Sequence, residues 1–228
     1  MDGSIRRLPT RTRKEELALS KESVMLDLAK ISTATLHETM DKGNTMWPSI
    51  RPLWRPLSLC GPAYTVQARP GDNLATHWAL AVAPAGCVLV VSHEGDNCCG
   101  GWGEIASVAA TARGLRGLVT DGAVRDSEAC QALGFPIFSQ GTSIRGTTKA
   151  HPGAVDVPVV CAGALVHPGD YIVADGEGVV VVPRDQARDI MRRAQERDSR
   201  EREIMARLRA GELTVDLFDL RRKLPGRM

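Results

Sequence analysis

Aromatic residues and long apolar runs are scarce in this sequence. Only 4% of its 228 residues are aromatic while 43% are hydrophobic, so a core must be built mainly from Val, Leu, Ile and Ala. No run of about 18 apolar residues occurs, which argues against a membrane-spanning helix. The charged N-terminal region also lacks the apolar stretch of a signal peptide. We therefore expect a globular, cytoplasmic protein with no membrane partner.

The sequence also has no large excess of positive or negative charge. The formal net charge is +2, which is too small to indicate a nucleic-acid partner. Basic residues do collect near both ends of the chain, at Arg6, Arg7, Arg11, Arg13, Lys14, Arg221, Arg222, Lys223 and Arg227. We interpret residues 1–14 as a flexible basic arm, and these charges as solvated rather than RNA-binding.

The cysteine pattern indicates neither a disulfide framework nor a zinc site. Six cysteines are present, and none forms a C-x-x-C pair. No cluster of histidines has the spacing of zinc ligands. Free thiols of this kind are typical of a reducing compartment, which again indicates the cytoplasm.

Short apolar runs bounded by Gly, Pro and Asp recur through the middle of the chain and predict β-strands. Several of these runs are apolar throughout, which favours strands that are covered on both faces. The runs are residues 63–66, 87–91, 117–120, 135–138, 157–161, 171–174 and 179–182.

Helical patterns lie between and around these strands. They cover residues 15–42, 104–112, 126–133 and 184–210. Ser32 offers a helix start within the first of them, and Gly211 could end the last. We expect an α/β catalytic domain over residues 15–183, followed by a C-terminal helical extension over residues 184–228.

A glycine-rich turn, Gly100-Gly101-Trp102-Gly103, precedes the predicted helix that begins at Glu104. Glycines allow backbone N–H groups to face outward, and a helix start adds partial positive charge. Such a turn can bind a carboxylate or a phosphate. A purely structural turn explains the glycines at least as well when they are considered alone.

Arg125 and Asp126 follow a predicted buried strand, at the kind of edge where sites gather in open α/β sheets. The guanidinium of Arg125 has five fixed donors that suit a carboxylate or an oxyanion. The carboxylate of Asp126 can bind a hard cation. Each also has an ordinary explanation, since Arg125 could form a surface salt bridge and Asp126 could cap the next helix.

Glu104 and Asp126 each begin a predicted helix after a strand-like run. Adjacent parallel strands would therefore bring both acids to one end of a sheet. Converging carboxylates repel each other unless a cation lies between them. Oxygen ligands with few carboxylates favour Mg²⁺ or Mn²⁺, with water completing the coordination. The sequence therefore predicts a divalent-metal site that includes Asp126.

Motifs around these residues resemble one family closely, over roughly residues 30–220. The family holds the 4-hydroxy-4-methyl-2-oxoglutarate and 4-carboxy-4-hydroxy-2-oxoadipate aldolases, together with regulators of ribonuclease activity. The motifs are Gly61-Pro62-Ala63-Tyr64-Thr65-Val66, Pro70-Gly71-Asp72-Asn73, Gly101-Trp102-Gly103-Glu104, Asp121-Gly122-Ala123-Val124-Arg125-Asp126, Gly134-Phe135-Pro136, Pro168-Gly169-Asp170 and Ala174-Asp175-Gly176-Glu177-Gly178-Val179. The third and fourth are specific, whereas the others mostly mark the fold.

The resemblance implies an α/β fold, namely a β/β/α sandwich of the swivelling-domain type. It also implies a homotrimer or homohexamer with active sites shared between subunits. The resemblance assigns the metal to Asp126, substrate binding to Arg125, and a water of the metal to Glu104. It places the substrate carboxylate at the backbone of Gly103, Glu104, Ile105 and Ala106.

A glutamate from the C-terminal helix of a neighbouring subunit completes the site in this family. The resemblance places Glu201 at that position, with Glu203 as the alternative. Such a role would account for the charged middle of the predicted helix, residues 195–203. The sequence departs from the family at His37-Glu38, Ser92-His93-Glu94 and Cys98-Cys99, which leaves the distal group of the substrate open.

The implied activity is a metal-dependent carbon–carbon lyase of the kind used in aromatic-compound degradation. It would cleave a small 4-hydroxy-2-oxo diacid to pyruvate and a second oxo acid. Oxaloacetate decarboxylation would be a second activity, because it forms the same pyruvate enolate. Two alternatives stay open: a non-enzymatic regulator that binds a ribonuclease, and a dedicated 2-oxo acid decarboxylase.

Other reactive side chains receive ordinary interpretations. The scheme requires no Schiff base, so Lys149 is interpreted as a loop residue. His77 is interpreted as a core or interface residue, and His93 as a candidate proton donor. Cys98 and Cys99 are expected to be unreactive because no Cys–His arrangement is evident.

Overall fold

A computed structural model gives the fold and describes residues 23–41 and 43–224. The predicted basic arm, residues 1–14, lies outside the described residues. Within the described ranges, no helix has both the length and the apolar character needed to cross a membrane.

The described strands form one large sheet and two small ones. Their bounds are β1 (Arg51–Pro52), β2 (Leu59–Gln67), β3 (Val88–Ser92), β4 (Gly100–Trp102), β5 (Gly117–Thr120), β6 (Ala123–Val124), β7 (Ile137–Ser139), β8 (Gly141–Thr142), β9 (Ala154–Val155), β10 (Val159–Cys161), β11 (Ala164–Val166), β12 (Tyr171–Ala174) and β13 (Val179–Val182). The large sheet has the order β1-β7-β5-β3-β2-β12-β13, and β9 also pairs with β2. The small sheets are β4-β6-β8 and the β10-β11 pair.

The described helices lie before, between and after these strands. Their bounds are α1 (residues 23–28), α2 (Thr33–Thr39), α3 (Leu74–Val82), α4 (Glu104–Ala112), α5 (Ser127–Leu133), α6 (Ala187–Arg209) and α7 (Thr214–Leu217), with a 3₁₀ turn at Arg221–Lys223. The predicted helical stretch 15–42 is divided within its described part. Ser32 starts its second piece by accepting a hydrogen bond from the backbone N–H of Thr35 at 3.1 Å.

The centre of the large sheet is parallel and buried on both faces. Strands β2, β3, β5 and β7 pair in parallel, and every residue of β3 is buried. Side chains alternate along a strand. Leu89 and Val91 therefore pack with α3 and α4, whereas Val88 and Val90 pack with β10 and β11. A helical layer, the large sheet and a β10-β11 layer form the sandwich, which confirms the predicted α/β class.

A third cluster joins the C-terminal helix to the other end of the sheet. Ala187, Ile190 and Ala194 of α6 pack against α1, α2, β12 and β13. No residue of α6 beyond Ala194 is buried. The helix ends before Gly211, whose φ of +96° lies in the left-handed region that glycine accepts readily. The first part of α6 therefore belongs to the core, while the charged remainder of the helix lies outside the core.

Two strand-to-helix connections position the candidate site. After β3 the chain forms β4 and then α4, and after β5 it forms β6 and then α5. Strands β3 and β5 are parallel neighbours, and so are β4 and β6. The starts of α4 and α5 therefore lie side by side at the same edge of the structure, beyond the carboxyl ends of the buried strands.

Candidate active site

A hydrogen bond joins the starts of α4 and α5. The backbone N–H of Glu104 donates to Asp126 Oδ2 at 3.1 Å. Asp126 has a φ of +54°, in the left-handed region, and its side chain makes no capping hydrogen bond to α5. The helix-capping explanation of Asp126 is therefore wrong, because its carboxylate is turned toward the neighbouring helix. Aspartate tolerates this left-handed conformation better than most residues.

Position 103 requires glycine because a side chain would not fit there, and not because of its backbone conformation. Its φ of −165° is extended and open to any residue. A Cβ at this position would collide with Asp126 Oδ2 and would lie 3.0 Å from Arg125 Cγ. The glycine therefore allows the carboxylate and the arginine stem to lie directly against the start of α4.

Arg125 is held at its backbone and partly free at its head group. Its N–H donates to the carbonyl of Trp102 at 2.8 Å. Its Nε lies 3.6 Å from Asp126 Oδ2, and the side chain is about half-exposed. The remaining guanidinium donors make no other hydrogen bond or ion pair to the described residues. They are available to an anion in the adjoining cleft.

The first turn of α4 supplies further donors. The first intrahelical hydrogen bond is from Ser107 N to Gly103 O at 3.0 Å. The N–H of Glu104 is used by Asp126, and no described residue accepts from Ile105 or Ala106. Both residues line the cleft. Two free N–H groups, the helix dipole and Arg125 together form an anion site of the kind that binds carboxylates.

The cleft has a volume of about 320 Å³. Its other side, which we call the far wall, was not indicated by the sequence. Asn73, His77, Thr147 and Lys149 line the cleft together with the groups described above. Asn73 Nδ2 donates to the Gly101 carbonyl at 3.1 Å, while its Oδ1 is buried without a partner among the described residues. Asn73 therefore ties this wall to the glycine strand through its amide N–H.

The sequence did not predict that His77 and Lys149 line the cleft, because their positions depend on the pairing of distant segments. Burial lowers the pKa of His77, and the nearby charge of Lys149 lowers it further. His77 is half-buried and lines the cleft rather than the core, whereas its place at a subunit interface stays a prediction. The one sequence signal for the far wall is the Pro70-Gly71-Asp72-Asn73 motif, which the resemblance associates mostly with the fold.

Asp72 fastens the loop that carries Lys149. This buried carboxylate accepts hydrogen bonds from Thr148 Oγ1 and Ala150 N, each at 2.6 Å, and from His151 N at 3.3 Å. It also accepts from Leu74 N at 2.9 Å. Burial raises the pKa of Asp72, but these hydrogen bonds outweigh it and hold the pKa below the usual range. The loop is thus fixed against the start of α3.

A buried hydrogen-bond network supports the wall of the cleft that is formed by the start of α4 and Arg125, which we call the α4 wall. Trp102 Nε1 donates to Ser107 Oγ at 2.7 Å, and Ser107 Oγ lies 3.1 Å from the Gly103 carbonyl. Cys130 Sγ lies 3.3 Å from the same hydroxyl. Cys130 N also donates to the Asp126 carbonyl at 2.9 Å. These contacts lock α4 to α5 and keep Gly103 and Asp126 in register.

His93 lies behind the glycine strand rather than in the cleft. A Cβ on Gly101 would lie 2.9 Å from its Nε2, and a Cβ on Gly122 would lie 2.7 Å from its Cδ2. Burial lowers the pKa of His93 although the Asp121 carboxylate opposes this. The imidazole fills the space between two glycines and is not among the residues that line the cleft, so it is poorly placed to donate a proton to a ligand.

Glu201 lies in a different groove of the same chain. Its carboxylate is 2.8 Å from Arg197 Nε, and the groove has a volume of about 730 Å³ between α2, α6 and α7. Neither Glu201 nor Glu203 lines the cleft that holds Arg125. Any contribution of either glutamate to a site must therefore come from another subunit, and that role stays a prediction.

The metal-binding potential of one chain rests on Asp126. Across the described residues, no group of three or more His, Cys, Asp or Glu side chains could hold a metal ion. The Asp126 carboxylate is partly exposed, and only its Oδ2 is engaged by the described residues. This donor set fits a cation that keeps most of its waters, such as Mg²⁺, and does not fit an all-protein cage.

Comparisons with known proteins agree on one family. Residues 33–181 match the RraA-like family model, described as Aldolase/RraA. A protein of Halalkalibacterium halodurans named "Putative 4-hydroxy-4-methyl-2-oxoglutarate aldolase" is 37% identical over 178 residues, which cover 76% of this chain and 85% of that protein.

Solved structures show the same fold. An uncharacterized protein from Pseudomonas syringae is 30% identical, with a TM-score of 0.75 over 93% of this chain and 96% of that one. RraAS2 of Streptomyces coelicolor, described as an unusual member of the RNase ES inhibitor RraA protein family, is also 30% identical. Its TM-score is 0.73 over 80% of this chain and 96% of that one.

Gly103→Ala should displace the Asp126 carboxylate, because the added methyl group occupies its place. We expect Mn²⁺ affinity to fall about 10- to 100-fold, the scale for losing the support of a metal ligand. Electron paramagnetic resonance titration with Mn²⁺ measures this. Gly141→Ala is the control, since a Cβ there has no atom within 4 Å. Equal Mn²⁺ affinity in both variants would contradict the proposed role of Gly103.

Asp72→Asn should lower the free energy of unfolding at pH 7 and reduce its dependence on acid. The folded pKa of Asp72 is lowered, so its contribution is complete above the unfolded pKa of about 3.9 and is lost as pH falls toward the folded pKa. Urea unfolding between pH 7 and pH 3 measures the difference. Asp185→Asn, an exposed position, is the control, and an unchanged acid dependence in Asp72→Asn would refute the prediction.

Proposed function

Because this chain belongs to the Aldolase/RraA family, we propose that it is a divalent-metal-dependent aldolase of 4-hydroxy-2-oxo diacids. The products are pyruvate and a second oxo acid. One observation carries the proposal: Arg125, Asp126 and the free N–H groups of α4 meet in a single small cleft. This arrangement can bind a 2-oxo acid by its carboxylate and stabilise negative charge on its ketone oxygen.

Substrate binding would use the start of α4. The C1 carboxylate accepts hydrogen bonds from the N–H groups of Ile105 and Ala106, which have no other described acceptor. Arg125 then reaches the adjacent 2-oxo oxygen with its unused donors. The position is fixed before binding, because the hydrogen bond from Glu104 N–H to Asp126 Oδ2 holds the two helix starts together. Such preorganisation is what makes electrostatic stabilisation effective.

Cleavage breaks the C3–C4 bond of the substrate. The proton of the C4 hydroxyl leaves, the C4 carbon becomes a carbonyl, and the bonding electrons move to C3 and the 2-oxo oxygen. Arg125 stabilises the resulting enolate oxygen, and protonation of C3 then gives pyruvate. Glu104 is exposed at the start of α4 and does not itself line the cleft, so it would act through a water that accepts the hydroxyl proton. A divalent cation held by Asp126 would supply Lewis-acid polarisation of the 2-oxo group.

Oxaloacetate decarboxylation follows from the same binding mode. Loss of carbon dioxide from this acid leaves the same enolate on the same three carbons, so Arg125 and the α4 start act unchanged. The reaction needs no base for a hydroxyl proton. We therefore propose it as a second activity that persists when the role of Glu104 is removed.

A regulator of ribonuclease activity is the second candidate function, favoured by the likeness to RraAS2. The cleft argues for the enzyme, since binding a ribonuclease does not require a glycine that leaves room for a carboxylate beside an arginine. A pull-down that recovers a tight ribonuclease partner, combined with no metal-dependent pyruvate release, would favour the regulator instead.

Arg125→Ala and Asp126→Asn should each lower turnover at least about 100-fold, the scale for losing an oxyanion donor. A coupled pyruvate-release assay over a panel of 4-hydroxy-2-oxo diacids, with and without Mg²⁺, measures this. Arg113→Ala, an exposed arginine at the end of α4, is the matched control. Full activity in EDTA, or in Asp126→Asn, would refute the metal-dependent scheme.

Glu201 provides a test of shared sites. Glu201→Gln should lower turnover about 100-fold, whereas Glu203→Gln should change it little. If a site takes Arg125 from one subunit and Glu201 from another, mixed oligomers of Arg125→Ala and Glu201→Gln contain some intact sites. Refolding the two inactive variants together should then restore pyruvate release, whereas sites built within one subunit would stay inactive.

A further inference from the structure

We propose that Lys149 and His77 form the subsite for the second carboxylate of the substrate. The inference rests on the proposed function and names what the far wall of the same cleft binds. In this proposal the far wall discriminates diacids from monoacids. The α4 wall binds the 2-oxo acid end that all substrates share.

Charge within the cleft supports this assignment. Of the residues that line it, Asp126 is the only acid, and it already lies beside Arg125. Lys149 makes no ion pair with any described carboxylate. Among the side chains that line the cleft, the cations Arg125 and Lys149 therefore outnumber the one acid, and Glu104 lies outside this lining. The start of α4 adds partial positive charge. A monoanion would leave Lys149 without a partner, whereas a dianion would satisfy both ends.

The backbone around Lys149 is fixed, which distinguishes it from a solvated surface lysine. Asp72 accepts hydrogen bonds from Thr148 on one side and from Ala150 on the other. Asn73 N also donates to the Thr148 carbonyl at 3.1 Å. The flexible side chain of Lys149 thus starts from a set position on the cleft wall, which reduces the entropy lost when its ammonium binds an anion.

His77 supplies a neutral donor beside this cation. It is half-buried on α3, and burial together with the Lys149 charge favours its uncharged form. A neutral imidazole can still donate one hydrogen bond to a carboxylate oxygen. Lys149 would then provide the charge and His77 would fix the orientation of the carboxylate.

The size of the cleft limits what the subsite can serve. A volume of about 320 Å³ is at the small end of ligand pockets. A short diacid fits such a space, with one carboxylate at each wall and the cleaved bond between them. Larger anions such as dinucleotides do not.

Binding of two unreactive 2-oxo acids separates the two walls. 2-Oxoglutarate has a distal carboxylate but no 4-hydroxyl, so it cannot undergo this cleavage, and 2-oxopentanoate is its monoacid counterpart. Isothermal titration calorimetry of the Mg²⁺-loaded protein should show 2-oxoglutarate binding about 10- to 100-fold more tightly, the range for one charge-assisted hydrogen bond.

Lys149→Met should remove this preference while leaving the affinity for 2-oxopentanoate unchanged. Lys149→Arg keeps the charge and should keep most of the preference. It also cannot form a Schiff base, so retained pyruvate release in Lys149→Arg would exclude an imine route. Arg145→Met is the matched control, because Arg145 is a cation on the same loop that does not line the cleft. It should bind both acids as the unaltered protein does.

Three outcomes would overturn the inference. These are equal affinity of the unaltered protein for the two acids, a Lys149→Met preference as large as before, and an equal loss of preference in Arg145→Met. Failure of the proposed function looks different: the unaltered protein would release no pyruvate from any 4-hydroxy-2-oxo diacid, whatever the calorimetry shows. Thermal unfolding of each variant checks that the fold is intact.

Discussion

The hydrogen bond from the Glu104 backbone to Asp126 Oδ2, at 3.1 Å, is the contact on which the candidate site depends. It joins the starts of two helices that follow neighbouring parallel strands. It turns the carboxylate away from the helix that Asp126 begins and toward the cleft. Gly103 makes the contact possible, because any side chain there would occupy the place of the carboxylate. The Trp102–Ser107–Cys130 network keeps the two helices in that position.

The cleft has two walls with different support. The α4 wall is made of backbone donors and Arg125, so it suits the part common to all 2-oxo acids. The far wall is carried by a loop that depends on Asp72, a single buried carboxylate that accepts four hydrogen bonds. Because the two supports are separate, a substitution in one wall can leave the geometry of the other unchanged. Such a division is consistent with a family that includes both aldolases and ribonuclease regulators on one fold.

Local pattern predicted much of the framework. Buried strands could be recognised from β-branched runs such as 179–182, and α4 from apolar residues that recur at helical spacing after Glu104. The convergence of Glu104 with Asp126 was also predicted, since parallel strands end at a common edge. Predictions were weaker where contacts join distant segments. The Asp72 loop, the burial of His93 between two glycines, and the cleft positions of His77 and Lys149 all depend on pairings across tens of residues.

By itself, the sequence determined the α/β class, the order of most strands and helices, and the pair Arg125-Asp126 as the centre of interest. These follow from periodicity, from glycine placement and from side-chain chemistry, which are local properties. Only the tertiary structure decided that Asp126 binds the neighbouring helix rather than capping its own, and that Lys149 faces the cleft. The physical reason is that a side chain with two possible partners binds the one within reach. The packing of the whole chain sets which partner that is.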